Sequence, residues 1–378
     1  MILPGATLGV LGGGQLGRMF CVAARTMGYR TVVLDPDVRS PAGRIADEHI
    51  CAAYDDTKAL QRMAEHCDAI TTEFENIPAV SLQFLATKKP VHPSAPCVQV
   101  AQNRITEKNF ARDIGIAPAP FYEVRQESDL AVACAATGLP AILKTATLGY
   151  DGKGQQIVKT LQQAREAFCA MGSVVCVLEK KLELKLEISA LLARNLNGEV
   201  QCYPPAENEH RNGILHQSIV PARVSDELAQ RAQDSAIRLA HALDYVGVLA
   251  VEFFITTDNE LVFNEMAPRP HNSGHYTKDA AVTSQFEQQV RVMCGLPPGD
   301  ARLISPVVMV NLLGDLWHPD WQKLLCESNA KLHLYGKEEA RPGRKMGHYN
   351  VLASDIEQAI RVAGRIFTAL ECSNRSET

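Results

Sequence analysis

Glu252 and Glu265 are the residues of this sequence with the plainest chemistry. They lie in VGVLAVEFFITTDNELVFNEMAPRPHNSGHY, residues 246–276, where two runs rich in β-branched and aromatic side chains flank Asp258-Asn259. That pattern predicts an antiparallel hairpin. With the turn centred between those two residues, Glu252 falls opposite Glu265 and Phe254 opposite Phe263. Opposed side chains lie roughly 4.5–5.5 Å apart at Cβ, and like charges there repel. Two carboxylates face to face among apolar neighbours therefore predict a divalent cation between them. A small set of hard oxygen ligands suits magnesium that keeps waters and substrate phosphates in its shell. Arg269, His271, Asn272 and His275 follow closely, so the hairpin reads as the edge of a site built around a metal-bound nucleotide.

Five other stretches carry chemistry. Lys144 closes the apolar run PAILK, and Gly149-Tyr150-Asp151-Gly152-Lys153-Gly154-Gln155 follows. Glycines around a lysine predict a flap whose N–H groups cover phosphates, although the G-x-x-x-x-G-K-[ST] loop is absent. Glu179-Lys180-Lys181-Leu182 and Glu187 form a charged stretch that by itself reads as a solvated face. Its place between the flap and the paired glutamates suggests a main-chain edge for a purine base and a carboxylate for ribose hydroxyls. Gly12-Gly13-Gly14-Gln15-Leu16-Gly17 fits G-x-G-x-x-G after a strand, with Asp35 ending the next. That is a dinucleotide fingerprint, but its physics is only a helix N-terminus that attracts an anion, so any phosphate would serve. Glu73-Phe74-Glu75-Asn76 falls at the C-terminal end of a strand, where open α/β sheets bind ligands. It reads equally as an acidic helix start. Finally, Lys337, Arg341, Arg344, Lys345 and His348 cluster around Pro342-Gly343 and suit an anionic group or a basic surface loop.

The elements that must hold these residues alternate at first. Thr7–Leu11, Thr31–Leu34 and Ala69–Thr72 read as strands, and 15–27, 59–67 and 77–86 as helices, an order that predicts a parallel sheet. Val91 begins a last short strand, and a helical linker covers 96–113. A proline-marked entry at 116–120 leads to a helix at 127–137, the strand 141–144, the flap, a helix at 161–170 and the strand 174–179. The long helix 226–243 precedes the glutamate hairpin, and helix 282–294 ends at Gly295-Leu296-Pro297-Pro298-Gly299. Strands at 306–313, 331–335 and 348–352 and an amphipathic helix at 355–370 complete the reading.

Composition bounds the function. The 378 residues suffice for two or three domains, and 46% hydrophobic with 21% charged residues is ordinary for a soluble protein. A net charge of −5 leaves no electrostatic footprint for nucleic acid. Eleven cysteines without a C-x-x-C pair predict a reducing compartment and neither a disulfide framework nor a zinc site. No apolar run approaches ~18 residues, so no membrane span is expected, and the opening residues carry no basic signal region. A cytoplasmic protein is the expectation.

Taken in order, a glycine-turn domain, a strand-end lysine with a glycine flap, a base-binding linker and an acidic metal hairpin resemble the ATP-grasp enzymes. GGGQLGRM, EFENIP, YDGKGQ, NEMAPRPHNSGHYT and PGRKMGHYN resemble in particular the N5-carboxyaminoimidazole ribonucleotide synthase branch, from Gly12 to about Leu370. The resemblance implies an α/β fold: a parallel-sheet, Rossmann-like domain at 1–103, ATP-grasp domains at 104–299 with a lid at about 116–180, and a small α+β domain at 300–378. It implies a ligase that uses ATP, magnesium and bicarbonate to carboxylate 5-aminoimidazole ribonucleotide in purine biosynthesis, through carboxyphosphate, and a homodimer.

By the same resemblance Arg104, Lys144, Gly149 to Gln155, Glu179 to Leu182, Glu187, His210, Asn264 and Glu265 contact the nucleotide. Glu252 and Glu265 hold magnesium, and Arg269, His271, Asn272 and Lys345 serve catalysis. Gln15, Leu16, Glu73, Lys337, Arg344 and Lys345 hold the ribonucleotide. One departure stands out: many ATP-grasp enzymes place an asparagine two residues after the second metal glutamate, where this sequence has Ala267, with Asn264 as the neighbouring amide. The rival readings are a formate-dependent glycinamide ribonucleotide formyltransferase, whose histidine loop continues Asp-Thr-Gly rather than Asn272-Ser273-Gly274, an NAD-dependent dehydrogenase, and a non-catalytic nucleotide sensor.

Overall fold

Thr7–Leu11 pairs in parallel with Arg30–Leu34 on one side and Ala69–Thr72 on the other, which places the glycine turn at the carboxyl ends of a four-stranded sheet. All five residues of Thr7–Leu11 are buried, as helices on both faces of a parallel sheet require. The computed structural model describes residues 1–149, 154–317 and 321–375. The strand Glu48–Ile50 adds an edge that the sequence reading missed, because three residues offer no alternation to detect. Val91 supplies a single bridge to Ile70 rather than a strand. The linker expected as one helix is two, Ala95–Ala101 and Arg104–Asp113. Asn103 breaks it, since its side chain accepts from the N–H groups of Ile105 and Thr106 and caps the second helix.

The second sheet runs Phe121–Val124, Cys176–Lys180, Ala141–Thr145, Gln155–Val158 and is antiparallel throughout. Helices Asp129–Thr137 and Leu161–Ala170 cover it through a small core around Leu143, Phe168 and Leu178.

Among the described residues the third sheet has nine strands. Its main path runs from Leu261–Ala267 through Gly247–Thr256, Leu184–Arg194, Ala206–Arg211 and Ile214–Val220. It continues without a break into Val307–Leu313, Lys345–Leu352 and Ala330–Leu334. Helix Asp226–Ala242 packs on the first part, and helix Ile356–Arg375 covers Val308, Val310, Leu312, Tyr349 and Val351 of the last. No helix among the described residues is long and apolar enough to cross a membrane.

Within the hairpin Glu252 lies opposite Glu265, as the sequence reading expects. The aromatic register differs: Phe263 faces Phe253, and Phe254 faces Val262. The cause is a bulge beside the glutamates, where Asn264 is the extra residue with no opposite partner.

Candidate active site

The face-to-face glutamates do not titrate alike. Burial and the neighbouring charge of Glu265 push the Glu252 carboxyl above the usual range. Burial works against Glu265 too, but the Arg104 guanidinium, 2.7 Å away, holds it below that range. The Glu265 side chain keeps 40% of its surface open, so this carboxylate lines a cleft rather than a closed core. The bulged Asn264 turns its amide towards Glu252, with Nδ2 donating over 3.4 Å, and His271 Nε2 lies 3.4 Å from the other oxygen of Glu252. Two oxygen donors with unequal proton affinity, one facing solvent, fit a magnesium ion that draws its remaining ligands from water and phosphate. Among the described residues no three His, Cys, Asp or Glu side chains close into a complete metal cage.

Helix Arg104–Asp113 positions this end. Arg104, Glu107 and Lys108 stand at i, i+3 and i+4, one face of the helix. Lys108 is fully buried and donates to the Asn264 carbonyl at 3.0 Å while lying 3.3 Å from Glu179. Glu107 accepts the Met266 N–H at 2.6 Å; burial and Glu265 raise its carboxyl to about 8. The sequence reading treated this helix as a linker and missed both residues, although their spacing alone signals a shared face.

Glu179 lies between two cations. Lys144 Nζ reaches it at 2.8 Å, opposite Lys108. Burial opposes its charge, yet the two lysines bring its carboxyl down to about 2. Burial lowers Lys144, helped by the repulsion of Lys108 and Arg104. Of the expected base-binding edge, the N–H groups of Lys180 and Lys181 already donate to Pro120 and Pro140, at 2.8 and 3.2 Å. The Leu182 N–H makes no hydrogen bond among the described residues, so a base would meet that group. Glu187 pairs with His210 at 2.9 Å, and this carboxylate overcomes burial to raise the imidazole. Gly149 accepts from Arg104 at 3.5 Å, and Gly154 and Gln155 are exposed. Tyr150, Asp151, Gly152 and Lys153 of the flap lie outside the described residues.

The loop after the hairpin divides in two. Arg269 Nε meets Glu75 at 2.5 Å, and His271 is held neutral, its imidazole lowered to about 3 by burial, Arg269 and Lys345. His271 Nδ1 and Ser273 Oγ lie 2.8 Å apart, and Ser273 Oγ in turn lies 2.7 Å from Ser189 Oγ. Both polar atoms of the buried Asn272 amide lack a hydrogen-bond partner, which in a packed interior marks a place for a ligand or water. His275 departs from the expected cluster. It turns into a fully buried group with Phe286, Tyr335 and His348, and Gln285 bonds both its ring and the His271 carbonyl.

At the glycine turn the helix N-terminus is occupied by the chain itself. Glu73 accepts from the N–H groups of Gly14 and Gly17, the latter at 2.6 Å, and burial raises its carboxyl despite them. Asp35, expected at the end of the second strand, accepts from Gly13 N–H and the Tyr54 hydroxyl, each at 2.6 Å. A carboxylate so engaged is poorly placed to read a ribose, which counts against the dehydrogenase reading. Lys337 Nζ donates to Gln15 Oε1 at 2.7 Å and to the Lys345 carbonyl, which draws the basic loop over the turn. Arg344 donates to the Glu339 carbonyl within that loop, and Leu16 packs half-buried against the core cluster that contains Met19, Phe20 and Tyr335.

A model of the ribonucleotide synthetase preATP-grasp domain matches residues 5–102 and one of the ATP-grasp domain matches 109–286. A phosphoribosylaminoimidazole carboxylase C-terminal domain model matches 307–362. The N5-carboxyaminoimidazole ribonucleotide synthase of Bacillus subtilis is 46% identical over 364 residues, 96% of this chain and 95% of that protein. The chain belongs to the N5-carboxyaminoimidazole ribonucleotide synthase family. A solved synthetase of this family in complex with ADP superimposes with a TM-score of 0.92 at 46% identity, covering 98% of this chain and 99% of its own. The family's Aspergillus clavatus synthase, solved with ADP and 5-aminoimidazole ribonucleotide, gives 0.90 at 32% identity, with 97% and 98% covered.

Proposed function

We propose that this protein carboxylates 5-aminoimidazole ribonucleotide with bicarbonate at the expense of ATP, forming N5-carboxyaminoimidazole ribonucleotide, ADP and phosphate in purine biosynthesis. The observation that carries this reading is the carboxylate pair Glu252 and Glu265 beside Arg269, His271 and the unpartnered Asn272 amide. The terminal phosphoryl of ATP passes to a bicarbonate oxygen, and ADP leaves. The exocyclic amine then attacks the carboxyl carbon of carboxyphosphate, its C–O bond to phosphate breaks, and the departing phosphate takes the amine proton.

Arg104, Lys144, Gly149 to Gln155, Glu179 to Leu182, Glu187, His210 and Asn264 serve the nucleotide in this reading. Glu252 and Glu265 are the residues that would hold magnesium, which would neutralise charge on the transferring phosphoryl group. Arg269 offers a planar fork for bicarbonate, and Asn272 completes its hydrogen bonds on the same substrate. His271, kept neutral, orients reactants and stores no proton. Gln15, Leu16, Glu73, Lys337, Arg344 and Lys345 hold the ribonucleotide, and Lys345 stands close enough to depress His271. The glycine flap would shield the acyl phosphate from water. Domains at 1–103, 104–299 and 300–378, a homodimer and a cytoplasmic location belong to the same reading.

The test is a coupled assay for ADP. Release should require the aminoimidazole ribonucleotide, bicarbonate and magnesium together, while equal release with formate and glycinamide ribonucleotide sinks the proposal. Relatives named for the carboxylating reaction already weigh against that sibling activity.

A further inference from the structure

The EFENIP segment carries two carboxylates, and they face different business. Glu73 holds the glycine turn, next to the basic loop proposed for the ribonucleotide. Glu75, two residues on, reaches across 194 positions of sequence to Arg269. The segment itself is pinned: Gln102 Nε2 donates to the carbonyls of Glu75 and Ile77 at 2.6 and 2.8 Å, and Thr72 Oγ1 to that of Phe74 at 2.9 Å. Arg269 is pinned as well. Its Nε is taken by Glu75 at 2.5 Å and its Nη1 by the Pro270 carbonyl at 3.2 Å. Nη2 makes no hydrogen bond among the described residues; one of its N–H groups lies beside Nε on the Glu75 edge and the other shares the far end of the guanidinium with Nη1, so that end keeps donors for a planar anion.

We propose that Glu75 is a positioning residue for carboxylation: it clamps one edge of the Arg269 guanidinium so that the other edge meets bicarbonate, and it ties that arginine to the segment that receives the ribonucleotide. The inference rests on the reading of Arg269 as the bicarbonate residue. A lone arginine on a flexible side chain must freeze several torsions on each binding event, and an ionised partner on Nε removes that cost in advance. Burial opposes the charge of Glu75, but Arg269 holds its carboxyl down at about 2, so the clamp stays ionised across the physiological range. Because Glu73 and Glu75 share one pinned segment, a shift of Glu73 on ribonucleotide binding would be felt at Arg269.

A purely structural ion pair between the N-terminal domain and the core is the rival explanation, and steady-state kinetics separate the two. Glu75→Gln should raise the KM for bicarbonate at least tenfold and lower kcat, with the KM for ATP and the thermal shift caused by ADP within twofold of the parent. Glu75→Asp, which keeps the charge, should recover part of the bicarbonate effect. In the double variant Glu75→Gln/Arg269→Lys the bicarbonate KM should match that of Arg269→Lys alone within twofold, since both act through one group. Unchanged KM for bicarbonate in Glu75→Gln, alongside a raised value in Arg269→Lys, overturns the positioning role and leaves the bicarbonate reading standing. An unchanged value in Arg269→Lys removes that reading and the inference with it. Additive effects in the double variant would mean that Glu75 acts elsewhere, and would likewise overturn it.

Discussion

The two ends of the cleft proposed for the nucleotide treat charge in opposite ways. At the lysine end Glu179 sits between Lys108 and Lys144, all three buried, anion answered by cations on rigid strands and a helix. At the hairpin end Glu252 faces Glu265, and only Glu265 has a strong cationic partner. The first arrangement is complete as the chain folds. The second keeps an excess of negative charge in a partly open cleft, and the protein tolerates it by raising the proton affinity of Glu252. A balanced buried cluster thus marks structure and pre-organisation, and an unbalanced one marks where a ligand is to be supplied.

Breaking the hairpin end should cost the most in activity. Glu265→Gln should lower turnover at least about a thousandfold, the scale expected when stabilisation of transferring charge is lost, while circular dichroism stays native; retained activity would dismiss the metal site. Breaking the lysine end should cost the most in stability. Lys108→Met leaves Glu179 with one cation, and chemical denaturation should show a loss of about 3 kcal/mol, as for buried pairs deprived of a partner. Glu252→Gln sharpens the contrast, since removing an unbalanced charge should stabilise the magnesium-free protein by ~1 kcal/mol even as activity disappears. A destabilised Glu252→Gln protein would contradict the idea of stored repulsion.

A further effect concerns acid. His275 and His348 are fully buried and held neutral well below their ordinary value of 6.5, burial being the main cause. At these two residues the unfolded chain therefore binds more protons than the folded one once pH falls below about 6.5, and their contribution to stability declines from there downward, against the opposite contribution of Glu107 and Glu252, whose raised carboxyls take up protons in the folded protein first. Glu75 and Glu179, lowered to about 2, add their own loss only once pH falls below their ordinary value of 4.5. The melting temperature of a His348→Gln variant, recorded from pH 8 to 5, should fall less than that of the parent below the middle sixes; an equal fall would argue against neutral burial of that imidazole.

Much of this was legible in local pattern. Alternation, the glycine breakers and the Asp258-Asn259 turn were enough to place the hairpin and most helices. The glutamate register was right for an incomplete reason. The pairing near the turn, with Phe253 on Phe263 and Ile255 on Leu261, would by itself set Glu252 opposite Asn264. The bulge at Asn264 restores Glu265, and nothing in the spacing announces a bulge. Helix Arg104–Asp113 shows the reverse case, an i, i+3, i+4 face of Arg104, Glu107 and Lys108 that is readable from spacing alone. Other contacts had no local signal. Glu75 with Arg269 and Lys337 with Gln15 join segments 194 and 322 residues apart, which only the packed sheets bring together. Proximity in sequence groups His275 with Asn272, whereas the turn Asn272–Gly274 sends it into the core.

The unbroken nine-stranded sheet bears on how this protein can be cut. Ile214–Val220 is zipped to Val307–Leu313 through four registered pairs, from Gln217 with Val310 to Val220 with Val307. A fragment ending near Gly299 would leave that strand with a row of unpaired amides and carbonyls, and would uncover apolar side chains such as Ile219 that now face the last helix. Exposed edges of that kind recruit other chains. Shortened versions made for screening or crystallisation should therefore keep the C-terminal strands, or they will trade an enzyme for an aggregate.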